Sequence, residues 1–167
     1  MEVKATVKLD AKELYGFLMH HIYSSTTGFI GVLLSIGGFI GFFYMIQMEG
    51  ANPLFVGALF MTGLMFTVVQ PLMTYSKAKK QEKRNMEECP EPLLYIITKQ
   101  GIDVTQGERK GFSTWDEIVR IESTKHLVML YTGKVHAYVI PKDEIGDQMD
   151  VLKALVRENC MAGYIKL

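Results

Sequence analysis

From Ile22 to Met48, and again from Gly50 to Ser76, the chain carries no Asp, Glu, Lys or Arg, and Glu49 alone separates the two stretches. Each is 27 residues long, more than the roughly 20 residues an α-helix needs to cross a hydrocarbon core of about 30 Å. The pattern predicts a transmembrane helical hairpin over residues 25–76, and it makes the rest of the chain readable relative to a bilayer. A cleavable signal sequence fits poorly. Its apolar core is about 7–15 residues after a short basic start, whereas here a polar, strand-forming segment precedes a much longer run.

Average composition conceals this division, with 49% hydrophobic residues and a mean hydropathy of +0.13. Of 18 basic and 18 acidic residues, only Glu49 falls inside the apolar region. The formal net charge of zero gives no basic surplus for nucleic-acid binding. The connector Glu49-Gly50-Ala51-Asn52-Pro53 has no Lys or Arg. Lys4, Lys8 and Lys12 precede the first span, and Lys77, Lys79, Lys80, Lys83 and Arg84 follow the second. By the positive-inside rule both termini are cytoplasmic. The Gly, Asn and Pro of the connector suit a tight turn.

Small residues recur in the first span. Gly28, Gly31, Ser35 and Gly38 share one helical face, Gly37 and Gly41 form a GxxxG pair, and Gly57, Ala58, Thr62, Gly63 and Thr67 supply small positions in the second span. We assign Gly31, Ser35, Gly38 and Gly41 to helix packing within the hairpin, with homo-oligomerisation as the alternative use. Neither span contains an ionisable group that would mark a proton relay or ion site.

Outside the hairpin the period changes. Val3, Ala5, Val7 and Leu9 alternate with polar residues, which predicts a half-buried strand. Asp10 and Glu13 then form a capping box for a helix with an apolar stripe of Leu14, Phe17, Leu18, His21 and Ile22, suited to a membrane interface. After the hairpin, short strands are expected at 93–98, 101–106, 110–114, 119–123, 127–131 and 135–140, followed by a helix over 147–159. A lone N-terminal strand cannot bury its apolar face, and an even number of spans returns the chain to its starting side. Residues 1–9 are therefore expected to complete the sheet of residues 91–140. The organisation is residues 1–24, strand and amphipathic helix; 25–76, hairpin; 77–92, juxtamembrane linker; and 93–167, cytoplasmic β domain with a C-terminal helix. The class is an α+β membrane protein with a small antiparallel β domain.

The segments Tyr95-Ile96-Ile97-Thr98, Gly101-Ile102-Asp103-Val104, Ser113-Thr114-Trp115-Asp116-Glu117-Ile118, Ile121-Glu122-Ser123 and Tyr138-Val139-Ile140-Pro141-Lys142 occur in an order and spacing that resembles the YcxB-like membrane proteins. That resemblance implies two spans, a C-terminal domain of the bacterial pleckstrin-homology type and a bacterial plasma membrane. It supplies no activity or catalytic residues.

Trp115, the only tryptophan, has two readings. With Asp116 and Glu117 it is a candidate partner contact; as a large aromatic in a small domain it is a core residue, with Thr114 and Glu117 forming a capping box. The basic cluster Lys77, Lys79, Lys80, Lys83 and Arg84 sets topology and is a candidate surface for anionic lipid, weakened by Glu82, Glu87, Glu88 and Glu91. No GxSxG, P-loop, HExxH or paired CxxC is present, His20, His21, His126 and His136 lack metal-ligand spacing, and Cys89 and Cys160 read as free thiols. The expectation is a non-enzymatic protein without metal or cofactor, whose partners are the bilayer and a protein on the cytoplasmic side. Two alternatives stay open. One is an immunity-type protective protein acting through its hairpin, and the other is a small channel or transporter-associated subunit.

Overall fold

The connector turns by the means its residues supply. In the computed structural model, which describes residues 1–133 and 136–167, Gly50 adopts φ +80°, a left-handed conformation open to glycine. The Asn52 side chain accepts the Leu54 N–H at 2.9 Å, and Pro53 occupies the first turn of the next helix. The chain forms two compact units, residues 15–80 and residues 1–14 with 81–167.

The first unit is helical. Helix α1 (Ala11–Ser24) opens on a reciprocal capping box, with Glu13 N–H donating to Asp10 Oδ1 at 2.9 Å and Asp10 N–H to Glu13 Oε2 at 3.2 Å. Helix α2 (Thr26–Met45) is capped by Ser25, whose Oγ accepts from Gly28 N–H. Helix α3 (Pro53–Leu64) passes through a π-helical turn (Met65–Val69) into α4 (Gln70–Glu88). Pro71 lies just beyond that turn. It has no N–H and crowds the carbonyl four residues back, so the ladder ahead of it widens. Two helices, Thr26–Met45 and Pro53–Glu88, are long and apolar enough to cross a membrane.

The buried residues of α2 are Gly28, Gly31, Ser35 and Gly38, the four that the periodicity placed on one face. A Cβ at Gly38 would lie 2.8 Å from Gly63 N and 2.9 Å from Leu59 O, and one at Gly31 would strike the Phe66 ring. Gly41 meets only the Leu59 side chain, and Gly37 faces open space. The Gly37/Gly41 pair is therefore not a joint packing surface within this chain.

In the second unit, strands β1 (Val3–Val7), β2 (Leu93–Ile97), β3 (Gly101–Gln106) and β4 (Arg109–Thr114) form an antiparallel sheet in sequence order. The N-terminal strand pairs with β2 in the register Val3 to Ile97 through Val7 to Leu93. Its alternation is the reason: Val3, Ala5 and Val7 are buried and Glu2, Lys4 and Thr6 exposed. Lys99-Gln100 and Gly107-Glu108 make two-residue turns, Gly107 at φ +58°. A 3-10 turn (Trp115–Glu117) leads to β5 (Arg120–Ser123), β6 (Leu127–Tyr131) and β7 (Ala137–Pro141).

The expectation of one sheet over 91–140 needs correction, because the strands divide after β4 into two four-stranded sheets, the second ordered β7-β6-β5-β8. The turn at Trp115 reverses the chain, and Val3, Ile97 and Ile102 from the first sheet share a core with Ile121, Leu130 and Ile140 from the second. The fourth strand, β8 (Ile165–Lys166), runs parallel to β5, where the sequence offered no strand pattern. The expected helix over 147–159 forms as α6 (Met149–Asn159), preceded by a short helix α5 (Lys142–Ile145) and a 3-10 turn (Gly146–Gln148) with Gly146 at φ +54°. Leu152, Leu155 and Val156 of α6 close the core. The juxtamembrane linker continues the second helix, as the sequence leads one to expect, with α4 running to Glu88, just before Pro90 and Pro92. The expected start of the last strand, Val135, lies outside the described residues.

Candidate functional site

Ser35 inserts its hydroxyl into the backbone ladder of the opposing helix. Its Oγ donates to Thr62 O at 3.2 Å and accepts from Phe66 N–H at 3.2 Å, bridging a pair that would bond directly in an unbroken α-helix. The Tyr23 hydroxyl donates to Phe66 O at the same turn, while Thr67 Oγ1 and Thr74 Oγ1 donate to carbonyls one turn back. Ser35 and Tyr23 thus supply side-chain partners to backbone groups at the π turn, where the regular ladder is interrupted. Gly31, Ser35 and Gly38 act together in this contact, and Gly41 is peripheral to it.

The basic residues Lys77, Lys79, Lys80, Lys83 and Arg84 are all exposed on α4. At 100° per residue, Lys77, Lys80 and Arg84 lie along one side, with Lys79 and Lys83 beside them. Lys79 Nζ stands 5.5 Å from the Tyr75 ring centroid, and Lys83 pairs with Glu87 at 3.8 Å. Exposed pairs of this kind contribute little to stability. The cluster presents charge to its surroundings and holds no fold.

Trp115 is buried and donates from Nε1 to Thr98 O at 3.0 Å. Its indole closes the core where the chain leaves the first sheet, so its reading as a partner contact is corrected. Asp116 and Glu117 are exposed beside it. Thr114 makes no side-chain cap to the turn, so the expected capping box with Glu117 does not form.

Two polar clusters escaped sequence reasoning. Ser113 Oγ and Tyr138 Oη meet at 2.8 Å across the two sheets, and the Tyr138 and Tyr95 rings stand edge to face with centroids 5.9 Å apart. Burial, aided by Tyr138, raises the Tyr95 hydroxyl far above its ordinary pKa. On the second sheet, the Arg120 guanidinium lies 4.0 Å from the Tyr131 ring centroid and 3.5 Å from Glu122 Oε1. Burial first, and then the Glu122 charge, raise the Tyr131 pKa, against the lowering effect of Arg120. The Arg-x-Glu spacing on β5, opposite a strand ending in Tyr, was the available signal.

A pocket of about 280 Å³ opens where β1 runs out and α4 ends, lined by Leu9, Glu82, Asn85, Cys89, Glu91 and Gln106 among others. Gln106 Nε2 donates to Cys89 O and Glu91 O at 3.3 and 3.0 Å, which ties the exit of the helix to the end of β3. No cluster of three or more His, Cys, Asp or Glu among the described residues could hold a metal ion.

Residues 97–156 match the family model of the YcxB-like proteins. No curated protein and no solved structure matches the chain. The matched segment begins at the last residue of β2 and ends inside α6, taking in both turns of the first sheet, the Trp115 turn and the antiparallel strands of the second. Over this sheet-and-helix segment the chain is similar to the YcxB-like proteins.

Proposed function

We propose that this chain is an integral membrane protein whose hairpin anchors a pleckstrin-homology-like domain at the cytoplasmic face of a bacterial plasma membrane, where the domain acts as a non-enzymatic interaction or regulatory module. The observation that carries this reading is the inverted packing of the helices. Small residues are buried in α2, while Phe29, Leu34, Ile40 and Phe43 are each 60–65% exposed. Water would not tolerate so large an apolar surface; lipid does, and small residues at the contact are what lipid-embedded helices need. A soluble core helix would be mostly buried, whereas only 22% and 6% of the two apolar windows are.

Two packed sheets closed by a terminal helix support the pleckstrin-homology-like assignment. The absence of Lys and Arg from the connector supports cytoplasmic termini. Confinement at a surface raises the effective concentration of a binding module for membrane-associated partners. Gly31 and Gly38 are filled by Phe66 and Gly63 within the hairpin, which favours anchoring over recognition by that face.

Cross-linking of the tagged full-length protein in membranes, followed by mass spectrometry, tests the reading against a version lacking residues 91–167. A partner lost on truncation is the expected result. A partner retained by the hairpin alone would transfer the function to the helices.

A further inference from the structure

Edge strands offer unpaired backbone groups to other chains, and proteins normally block them. Three of the four sheet edges here are blunted. Gln148 closes the middle of β1 at Lys4, with its Oε1 accepting from Lys4 N–H at 3.0 Å and its Nε2 donating to Lys4 O at 3.1 Å. Strand β8 has only two residues, and β7 ends in Pro141, which has no N–H to donate.

Strand β4 differs. It has six residues and no proline, and it pairs with β3 from Gln106–Arg109 to Gly101–Thr114. The two-residue turn makes Gln106–Arg109 a hydrogen-bonded pair, so Arg109, Gly111 and Ser113 face β3 and the N–H and C=O groups of Lys110, Phe112 and Thr114 point outward. Among the described residues, no group bonds to the outward N–H and C=O of Lys110 and Phe112, while the Thr114 C=O heads the 3-10 turn Trp115–Glu117. The Phe112 ring rests on Gly101, where a Cβ would lie 3.0 Å from its Cζ, and Phe112 remains 51% exposed.

We propose that β4 pairs antiparallel with β4 of a second copy of this chain about a two-fold axis at Phe112, joining two four-stranded sheets into one of eight. The strand is self-complementary in this register. Phe112 lies opposite Phe112 of the partner subunit, an aromatic cross-strand pair, and Lys110 lies opposite Thr114 of the partner subunit, so no like charges face each other. The basic start of each strand, Arg109 and Lys110, approaches the exposed acidic residues Asp116 and Glu117 that follow the other. A two-fold contact closes on itself and leaves no free β4 edge for further addition. The pairing needs only the sheet domain and goes beyond the anchoring role.

Single cysteines placed in the full-length chain, with Cys89 and Cys160 replaced by Ser, test the register in membranes under mild oxidation. Phe112→Cys should form a covalent dimer. Lys110→Cys alone should not, and Lys110→Cys co-expressed with Thr114→Cys should. Phe112→Lys sets like charges against each other across the axis without touching the core. In native mass spectrometry of the otherwise unaltered protein released from membranes, it should convert a dimer to a monomer that keeps the parent's β-sheet circular-dichroism signature. A monomeric parent protein, equal cross-linking at 110 and 112, or a dimer that survives Phe112→Lys would overturn the proposal. An acidic segment of another protein captured at position 112 in place of the second copy would also overturn it.

Discussion

The carboxamide of Gln148 meets both main-chain groups of Lys4, receiving its N–H at 3.0 Å and donating to its C=O at 3.1 Å, across 144 residues of sequence. One side chain thereby does for the β1 edge what a neighbouring strand would do. Gln148→Ala should cost about 1 kcal/mol and selectively deprotect the Lys4 amide. Hydrogen exchange is the measurement: the Ala5 amide, held by β2, should stay slow. Equal exchange at Lys4 in both proteins would show that the cap contributes nothing.

The glycines of α2 should separate by what a methyl group would meet. Gly38→Ala forces backbone against backbone, and Gly31→Ala displaces the Phe66 ring, so both should loosen the hairpin. Gly41→Ala presses only on the tips of Leu59, and Gly37→Ala meets nothing within 4 Å. The last should be neutral or stabilising, because Ala is the better helix former. Thermal unfolding in one detergent ranks all four variants.

Removing the Ser35 hydroxyl leaves Thr62 O and Phe66 N–H facing each other across a widened turn. Ser35→Ala should destabilise by about 0.6 kcal/mol and at most about 1.7 kcal/mol, the range for such bonds between membrane helices. Faster hydrogen exchange confined to the Phe66 amide would locate the effect. A uniform change along α3 and α4 would contradict the insertion.

Burial raises the pKa of Glu13 above its ordinary 4.5. The charges of Asp10 and Glu144 add to this, while the Asp10 N–H and Lys12 oppose it. The folded state then holds a proton that the unfolded state releases, so the stability from this group is complete below about pH 4.5 and is lost as pH rises through the raised value. Glu13→Gln keeps an acceptor for the Asp10 N–H and cannot ionise. Denaturation midpoints measured across this range should slope less with pH in the variant.

Trp115→Phe should cost about 1 kcal/mol through its bond to Thr98 O, and Trp115→Ala about 3–5 kcal/mol. Asp116→Ala, being exposed, should leave chemical denaturation of the domain unchanged. A destabilisation by Asp116→Ala equal to that of Trp115→Ala would contradict the buried placement of the indole alone.

The parts legible in the sequence are those governed by period. A three- and four-residue recurrence marked the buried side of α2, and strict alternation from Val3 to Val7 announced a strand that needed a partner. What escaped depends on tertiary placement. The π turn follows from Pro71 inside an uncharged window, where hydropathy registers only that proline is apolar. Strand β8 is two exposed residues held by β5, so no alternation could reveal it. Trp115 was ambiguous because a turn flanked by acids looks like a surface until the reversal of the chain folds its ring inward. The division into two sheets was hidden for the same reason, since each strand was individually clear and only the turn decides which sheet it joins.

Strand β1 is made before the two apolar helices and its partner β2 after them. In a chain whose helices cross a bilayer, the first sheet can close only if both ends of the hairpin emerge on the same side. A product that inserts one helix alone would strand Val3, Ala5 and Val7 across the membrane from Tyr95 and Ile97, leaving apolar strand faces open to proteases. In such a chain, closure of the first sheet and insertion of both helices are one requirement, because the strand pair β1–β2 brackets the hairpin.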